Sequence, residues 1–281
     1  ENGMPQEVYI ERVHRRGIVG NIYQGKVVRV LPGMQAAFVD IGLERAAFIH
    51  VEEVLSQNAT PEEKSNASIA LVLREGQSLL VQVTKDPIGT KGARLTTHLS
   101  LPSRYLVCMP GNDHIGVSQR IEDVEERDRL RGIVQSLSQT DGEEPTGFIL
   151  RTVAEGTAEA ELAQDIQFLR RLWESIKVKI KSAKAPSVIY EDLPLNMRAL
   201  RDMAHAGLEK IRIDSRESFQ RVEQFAEDYL PEISSQLEYY PGERPIFDLY
   251  GVEDEIQKAL GRKVELKSGG YLIIDQTEAM S

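Results

Sequence analysis

Between Asn21 and Thr97 the chain alternates short apolar runs with glycine and proline turns, a pattern cut too finely for helices and suited to a small closed β-structure. Ile22 to Val30 reads as a strand closed by a Pro32-Gly33 turn, and Gln35 to Asp40 as a second strand followed by the turn Ile41 to Glu44. Arg45 to His50 is a third, in which Ala46 and Phe48 alternate against Ala47 and Ile49. Leu79 to Lys85 and Ala93 to Thr97 supply two more, joined by the glycine-rich, lysine-bearing turn Asp86 to Gly92. Five short strands in this order predict a small Greek-key barrel of the OB-fold type. The polar segment Gln57 to Ser68 is expected to be a surface insertion.

A second unit, roughly Leu101 to Pro194, has short apolar runs and one strong helix. Leu162, Ile166, Leu169, Trp173, Ile176 and Ile180 step by three and four residues and form its apolar stripe. Thr157 is the expected N-cap, with Glu159 and Glu161 in the first turn and Lys177, Lys179 and Lys181 at the end, both complementing the helix dipole. The third unit, from about Leu195, contains the alternating strand Lys210 to Ile213. A helix with Asp214 as cap and Glu217 as its capping-box partner is expected to bury Phe219, Val222, Ala226 and Tyr229. A helix after Pro245 is expected to end at Gly261, before a hairpin of Lys263 to Lys267 and Tyr271 to Asp275 around Ser268-Gly269-Gly270.

Net charge is −10, which argues against a nucleic-acid partner, although an RNA site needs only a local basic stripe with stacking surfaces. The single cysteine, Cys108, cannot form an internal disulfide, and four zinc ligands of the usual kind are not available. With no apolar run near ~18 residues and no secretory leader, a cytoplasmic protein is expected. The opening Glu1-Asn2-Gly3-Met4 reads like the middle of a protein.

Phe38 and Phe48 each follow two alanines on neighbouring predicted strands, so small residues surround each ring. Rings exposed on an OB barrel stack on bases of single-stranded nucleic acid while lysines meet phosphates, and Lys85 and Lys91 flank the adjacent turn. Burial in the core is the commoner use of such a ring, and pattern alone favours it. Arg151 and Thr152 close the strand Phe148 to Leu150, where an arginine beside a hydroxyl can grip a phosphate; a surface salt bridge is the plainer use. Asp275 and Glu278 end an apolar strand, as magnesium-holding carboxylates often do, but one pair is too few for a two-metal site. The five histidines are scattered, Trp173 reads as packing, and the Glu122-Asp123 and Glu125-Glu126 acids read as a solvated helix start. From the residues alone the chain is a multidomain protein with an oligonucleotide-binding barrel and no evident active site.

Longer strings carry more. Arg16 to Tyr23, Gln35 to Gly42, Gly89 to Thr97, Gly116 to Glu122, Leu150 to Gly156 and Ser268 to Ala279 together resemble the ribonuclease E/G family, and its ribonuclease G branch in particular. The resemblance runs nearly end to end, weakest at Gln57 to Ser68 and Ser136 to Pro145. It implies an α+β multidomain fold, with an OB-fold barrel inserted in a split RNase-H-like α/β layer plus an α/β 5′-sensor unit. The corresponding bounds are 1–19 for the first, incomplete part of the layer, 20–97 for the barrel and 98–195 for the sensor. The second part of the layer follows at 196–262, and 263–281 is a lead-in hairpin to a DNase-I-like catalytic unit.

Carried over by position, Phe38, Phe48, Lys85 and Lys91 match RNA-binding positions, Arg151 and Thr152 match the pair that binds a 5′-monophosphate, and Ser103 and Val107 match positions lining that pocket. Gln119 stands where ribonuclease E proper has a second pocket arginine, a departure that weakens the expected attraction for phosphate. The resemblance implies a magnesium-dependent, single-strand-specific endoribonuclease acting on 5′-monophosphorylated RNA, in ribosomal RNA maturation and messenger RNA decay, by attack of a metal-activated water. It also implies a homo-oligomer when intact, and zinc at a C-terminal cysteine link. Its magnesium-binding aspartates and zinc cysteines fall beyond Ser281, so catalytic and metal residues within this chain are expected to be none, and the chain is expected to bind RNA without cutting. The competing expectation is a non-catalytic OB-fold RNA-binding or scaffold protein; a translation-factor-like protein accounts for the barrel alone.

Overall fold

A computed structural model describes residues 5–55, 67–138, 146–203, 208–266 and 268–275. The expected polar insertion and the segment 139–145 lie largely outside these residues, as does Glu278. The chain divides into two compact units, one of residues 14–203 and one joining residues 1–13 to 204–281.

Five strands of the larger unit close a barrel: β1 (Ile22–Leu31), β2 (Ala36–Asp40), β3 (Ala47–His50), β4 (Ser78–Lys85) and β5 (Arg94–Thr96). They run in the order β1-β2-β3-β5-β4, and β4 pairs back onto β1 to complete the ring. The expected strands and the expected barrel are both present. Closure removes the sheet edges that would otherwise template aggregation. The interior is packed by Val27, Val39, Ile41, Ile49, Val81, Val83 and Leu95, with Ala37, Ala47 and Ala93 where strands crowd. A short helix, α1 (Ile69–Val72), joins the barrel core through the buried Ile69. Gly92 fits where β5 meets β3: a Cβ there would lie 2.0 Å from the Ala46 carbonyl oxygen, so any side chain would push the two strands apart.

A four-stranded sheet follows, in the order β6 (Leu101–Pro102), β7 (Leu106–Pro110), β9 (Thr146–Leu150), β8 (Ile115–Val117), with only β8 and β9 parallel. Leu106, Cys108, Phe148 and Leu150 turn one face inward, against α2 (Val124–Ser138) and α3 (Glu159–Ser182). Burial pushes the Cys108 thiol up to about 12. The apolar stripe of α3 buries Leu162, Ile166, Leu169 and Ile176 as expected, and adds Asp165, Phe168 and Leu172. Asp165 lies among core side chains because the turn entering β7 supplies four donors: Ser103 Oγ at 2.6 Å and the backbone N–H groups of Arg104, Tyr105 and Leu106 at 3.3, 2.9 and 2.9 Å. Desolvation raises its carboxyl above the ordinary range, and those four hydrogen bonds pull it back.

Thr157 does not cap α3. It is buried, the cap position is Ala158, and the Glu161 carboxylate accepts from the Ala158 N–H at 3.3 Å, the half of a capping box that needs no cap side chain. After α3, β10 (Ser187–Tyr190) returns to pair with β1, and α4 (Leu195–Met203) follows. Gln82 ties the barrel to the start of the second sheet, donating to the Gly20 and Ser100 carbonyls at 2.9 Å and accepting from the Ser100 N–H at 2.7 Å.

In the smaller unit, β11 (Ile211–Ile213) pairs in parallel with β12 (Leu237–Tyr239). The connecting helix α5 (Arg216–Tyr229) is capped by Ser215, one residue after the expected Asp214, and Glu217 pairs with Arg221 rather than closing a capping box. Its buried residues are Val222, Phe225 and Ala226, with Phe219 and Tyr229 half-buried. The helix expected after Pro245 is two, α6 (Ile246–Leu249) and α7 (Val252–Ala259), because Gly251 adopts φ +66° between them and a left-handed residue cannot continue a right-handed helix. The expected hairpin is present as β13 (Lys263–Glu265) and β14 (Tyr271–Ile273).

Candidate RNA interface

Strand register lines up one residue from each barrel strand. Arg29 on β1 faces Phe38 on β2, Phe38 faces Phe48 on β3, Phe48 faces Arg94 on β5, and Arg94 faces Lys85 on β4. Bulges at Val27/Arg29 and Val83/Lys85 bring the two end members into this row. Directly opposed residues share a face, and this face is outward: Phe38 is 37% exposed and Phe48 half-buried, while Ala37, Val39, Ala47 and Ile49 fill the interior. The core use of the two phenylalanines, favoured by pattern, is therefore overturned.

Beside the rings lies a groove of about 690 Å³, lined by Arg29, Met34, Phe38, Arg45, Phe48, Thr90 and Lys91 among others. Arg45 donates to the Gly89 carbonyl, tying the turn after β2 to the 86–92 loop, which is itself closed by paired Ile88 and Lys91 backbone hydrogen bonds. Lys91 is thereby held at the groove. Lys85 belongs to the row but not to the groove wall, and Arg94 spends part of its charge on Glu53 at 2.9 Å. Sequence reading missed Arg29, Arg45 and Arg94: a bulge in β1 brings Arg29 opposite Phe38, parallel pairing brings Arg94 opposite Phe48, and Arg45 reaches the groove from the turn before β3.

Of the remaining predicted residues, Arg151 and Thr152 follow the end of β9, beside Ser118 just after β8. Thr152 Oγ1 lies 3.0 Å from Ser118 Oγ, and Arg151 Nη1 donates to the Ser103 and Arg104 carbonyls at 2.5 and 3.1 Å. Arg151 also meets Asp202 Oδ1 on α4 at 3.4 Å. Ser103 is fully buried with its hydroxyl bound to Asp165, so it reaches this corner through its carbonyl. Val107 is half-buried on the opposite face of the sheet from the core side chains, opposite the exposed Ile149. Gln119, just beyond β8, is exposed.

Among the described residues no cluster of three potential metal ligands occurs, and the Asp275 carboxylate is engaged by Arg262 at 2.7 and 3.0 Å. No helix is long and apolar enough to cross a membrane, among the same residues.

A closed five-strand barrel with paired outward aromatics beside a largely apolar groove edged by Arg29, Arg45 and Lys91 defines an OB-type nucleic-acid-binding domain, and the S1 RNA binding domain profile matches residues 18–95. The Ribonuclease E/G family profile matches residues 100–281, and the chain belongs to that family. It is 54% identical to Ribonuclease G of Escherichia coli (strain K12) over 286 residues, covering all of this chain and 58% of that protein. Ribonuclease G of Haemophilus influenzae is 53% identical, with 100% and 57% covered, so the ribonuclease G branch fits. Ribonuclease E of Nostoc sp. is 36% identical over 98% of this chain and 39% of its own length. The chain thus spans a little over half the length of the ribonuclease G relatives.

Proposed function

We propose that this chain is the RNA-gripping portion of a single-strand-specific endoribonuclease of ribosomal RNA 5′ maturation and messenger RNA turnover, acting in the cytoplasm as a homo-oligomer. The observation that carries this reading is the outward Phe38–Phe48 pair beside a groove walled by Arg29, Arg45 and Lys91. Flat rings accept any base face and cations accept the backbone, which is the chemistry of single strands. The corner at Arg151 and Thr152 is the 5′-monophosphate site: a guanidinium oriented by two carbonyls, next to the Ser118 and Thr152 hydroxyls, offers convergent donors for a phosphate. Ser103 and Val107 support that corner. Within the smaller unit, which joins residues 1–13 to 204–281, the part up to 262 with its parallel β11–β12 pair is read as belonging to the RNase-H-like layer, and 263–281 as the lead-in hairpin. Hydrolysis belongs to magnesium ligands outside the described residues, and the 281-residue chain is expected to bind without cutting.

Anisotropy titration of an AU-rich oligonucleotide bearing a 5′-monophosphate or a 5′-hydroxyl tests the reading. The phosphorylated strand is expected to bind more tightly, and Arg151→Ala to remove that preference while leaving binding of the hydroxyl strand intact. Equal loss on both strands would make Arg151 structural. Cleavage by the purified chain in magnesium would overturn the division of labour.

A further inference from the structure

Asp202, in the last turn of α4, is shared by two arginines. Arg201 grips it as a fork, Nε to Oδ1 at 3.0 Å and Nη2 to Oδ2 at 2.9 Å, and Arg151 meets Oδ1 at 3.4 Å. The two arginines differ in their freedom. The Arg201 side chain is 7% exposed and its Nη1 is tied to the Pro102 carbonyl at 3.1 Å, so it fixes the carboxylate in place. Arg151 is 36% exposed and already oriented by the Ser103 and Arg104 carbonyls, so its contact with Asp202 is the longest of its three and adds little to its positioning. What that contact does supply is a negative charge beside the guanidinium, where an incoming phosphate meets repulsion.

We propose that Asp202 is a specificity-determining residue, a fixed counter-charge that limits how strongly the Arg151 corner discriminates a 5′-phosphate from a 5′-hydroxyl. This rests on the reading of that corner as the 5′-end site. Asp202 is held by Arg201 rather than by Arg151, so it stays in place when phosphate arrives and lowers the affinity of every 5′-phosphate equally.

The test is the ratio of affinities for 5′-monophosphorylated and 5′-hydroxyl oligonucleotides, measured on the same chain carrying Asp202→Asn, Asp202→Glu or Arg151→Ala. Asp202→Asn keeps an acceptor for Arg201 and removes the charge; the ratio should rise roughly two- to fivefold, the scale of a part-exposed ion pair. That gain should shrink near 1 M salt, where the screening length is about 3 Å, which a merely structural change would not do. Asp202→Glu should stay near the parent. Should the asparagine variant not fold, as judged by melting, Asp202→Ser carries the same expectation. An unchanged or lowered ratio in the neutral variant, with Arg151→Ala still abolishing the preference, would overturn the role of Asp202 and leave the 5′-end reading standing. A parent chain without preference, or one that keeps it in Arg151→Ala, would overturn both.

Discussion

Phe38 and Phe48 leave apolar ring surface in water, which folding by itself does not favour; a ligand face makes use of it. If each ring stacks a base, Phe48→Ala should weaken single-stranded RNA binding by about 1–3 kcal/mol while moving the melting temperature little. Ile49→Ala, one residue on and fully buried, should do the reverse: roughly 2–5 kcal/mol of stability lost, with the folded fraction binding normally. A large loss of stability in Phe48→Ala, without loss of binding, would return the ring to the core. The Ala-Ala-Phe repeat was visible in the sequence, yet the commoner use of phenylalanine is burial in the core. The barrel inverts it: Ala37 and Val39 on β2 and Ala47 and Ile49 on β3 fill the interior, and the rings between them face outward. Arg151 and Thr152 were visible as a strand end; that Asp202 lies beside them, fifty-one residues on, was not.

Among elements, the long helix α3 was the most legible, because a 24-residue amphipathic pattern with acids first and lysines last has few other solutions. Its start was misread because the loop before it is held by a different helix. Glu126, in the first turn of α2, accepts from the Gly156 N–H at 2.8 Å and from Arg129, whose Nη2 also reaches the Thr157 carbonyl at 2.9 Å. The Arg129 guanidinium, aided by the Gly156 N–H, lowers the Glu126 carboxyl from its ordinary 4.5 to about 2. A carboxyl that binds its proton more weakly when folded stabilises the fold above the unfolded value and loses that contribution as pH falls through the folded one. The contribution of Glu126 should therefore be complete at neutral pH and fade between about 4.5 and about 2. Urea titrations of the parent and Glu126→Gln should differ at neutral pH and converge as the pH falls toward that lower bound. A difference that stays constant with pH would mean the contact acts through shape rather than charge.

At the scale of the whole molecule, a net charge of −10 stands against an RNA partner, and the composition gave no hint of how the charges are distributed. The fold distributes them: Arg29, Arg45, Lys85, Lys91 and Arg94 gather on one side of the barrel, though Arg94 is partly spent on Glu53. Near physiological salt the screening length is about 8 Å, so acids on distant surfaces are largely screened from a strand lying on the rings while adjacent cations are not. Binding should therefore behave as for a basic protein. A logarithmic plot of affinity against salt should fall with a slope of about −0.7 for each phosphate neutralised, or about −2 to −3 for three or four engaged cations. Lys85→Gln combined with Lys91→Gln should flatten that slope by about 1.4 if both lysines meet phosphate, and by about 0.7 if only the groove-wall Lys91 does. The second outcome would confine the strand to the groove and leave Lys85 as a solvated end of the row. An unchanged slope would remove both lysines from the interface and place the phosphate contacts on Arg29 and Arg45, where the same measurement on Arg29→Gln and Arg45→Gln would then have to find them.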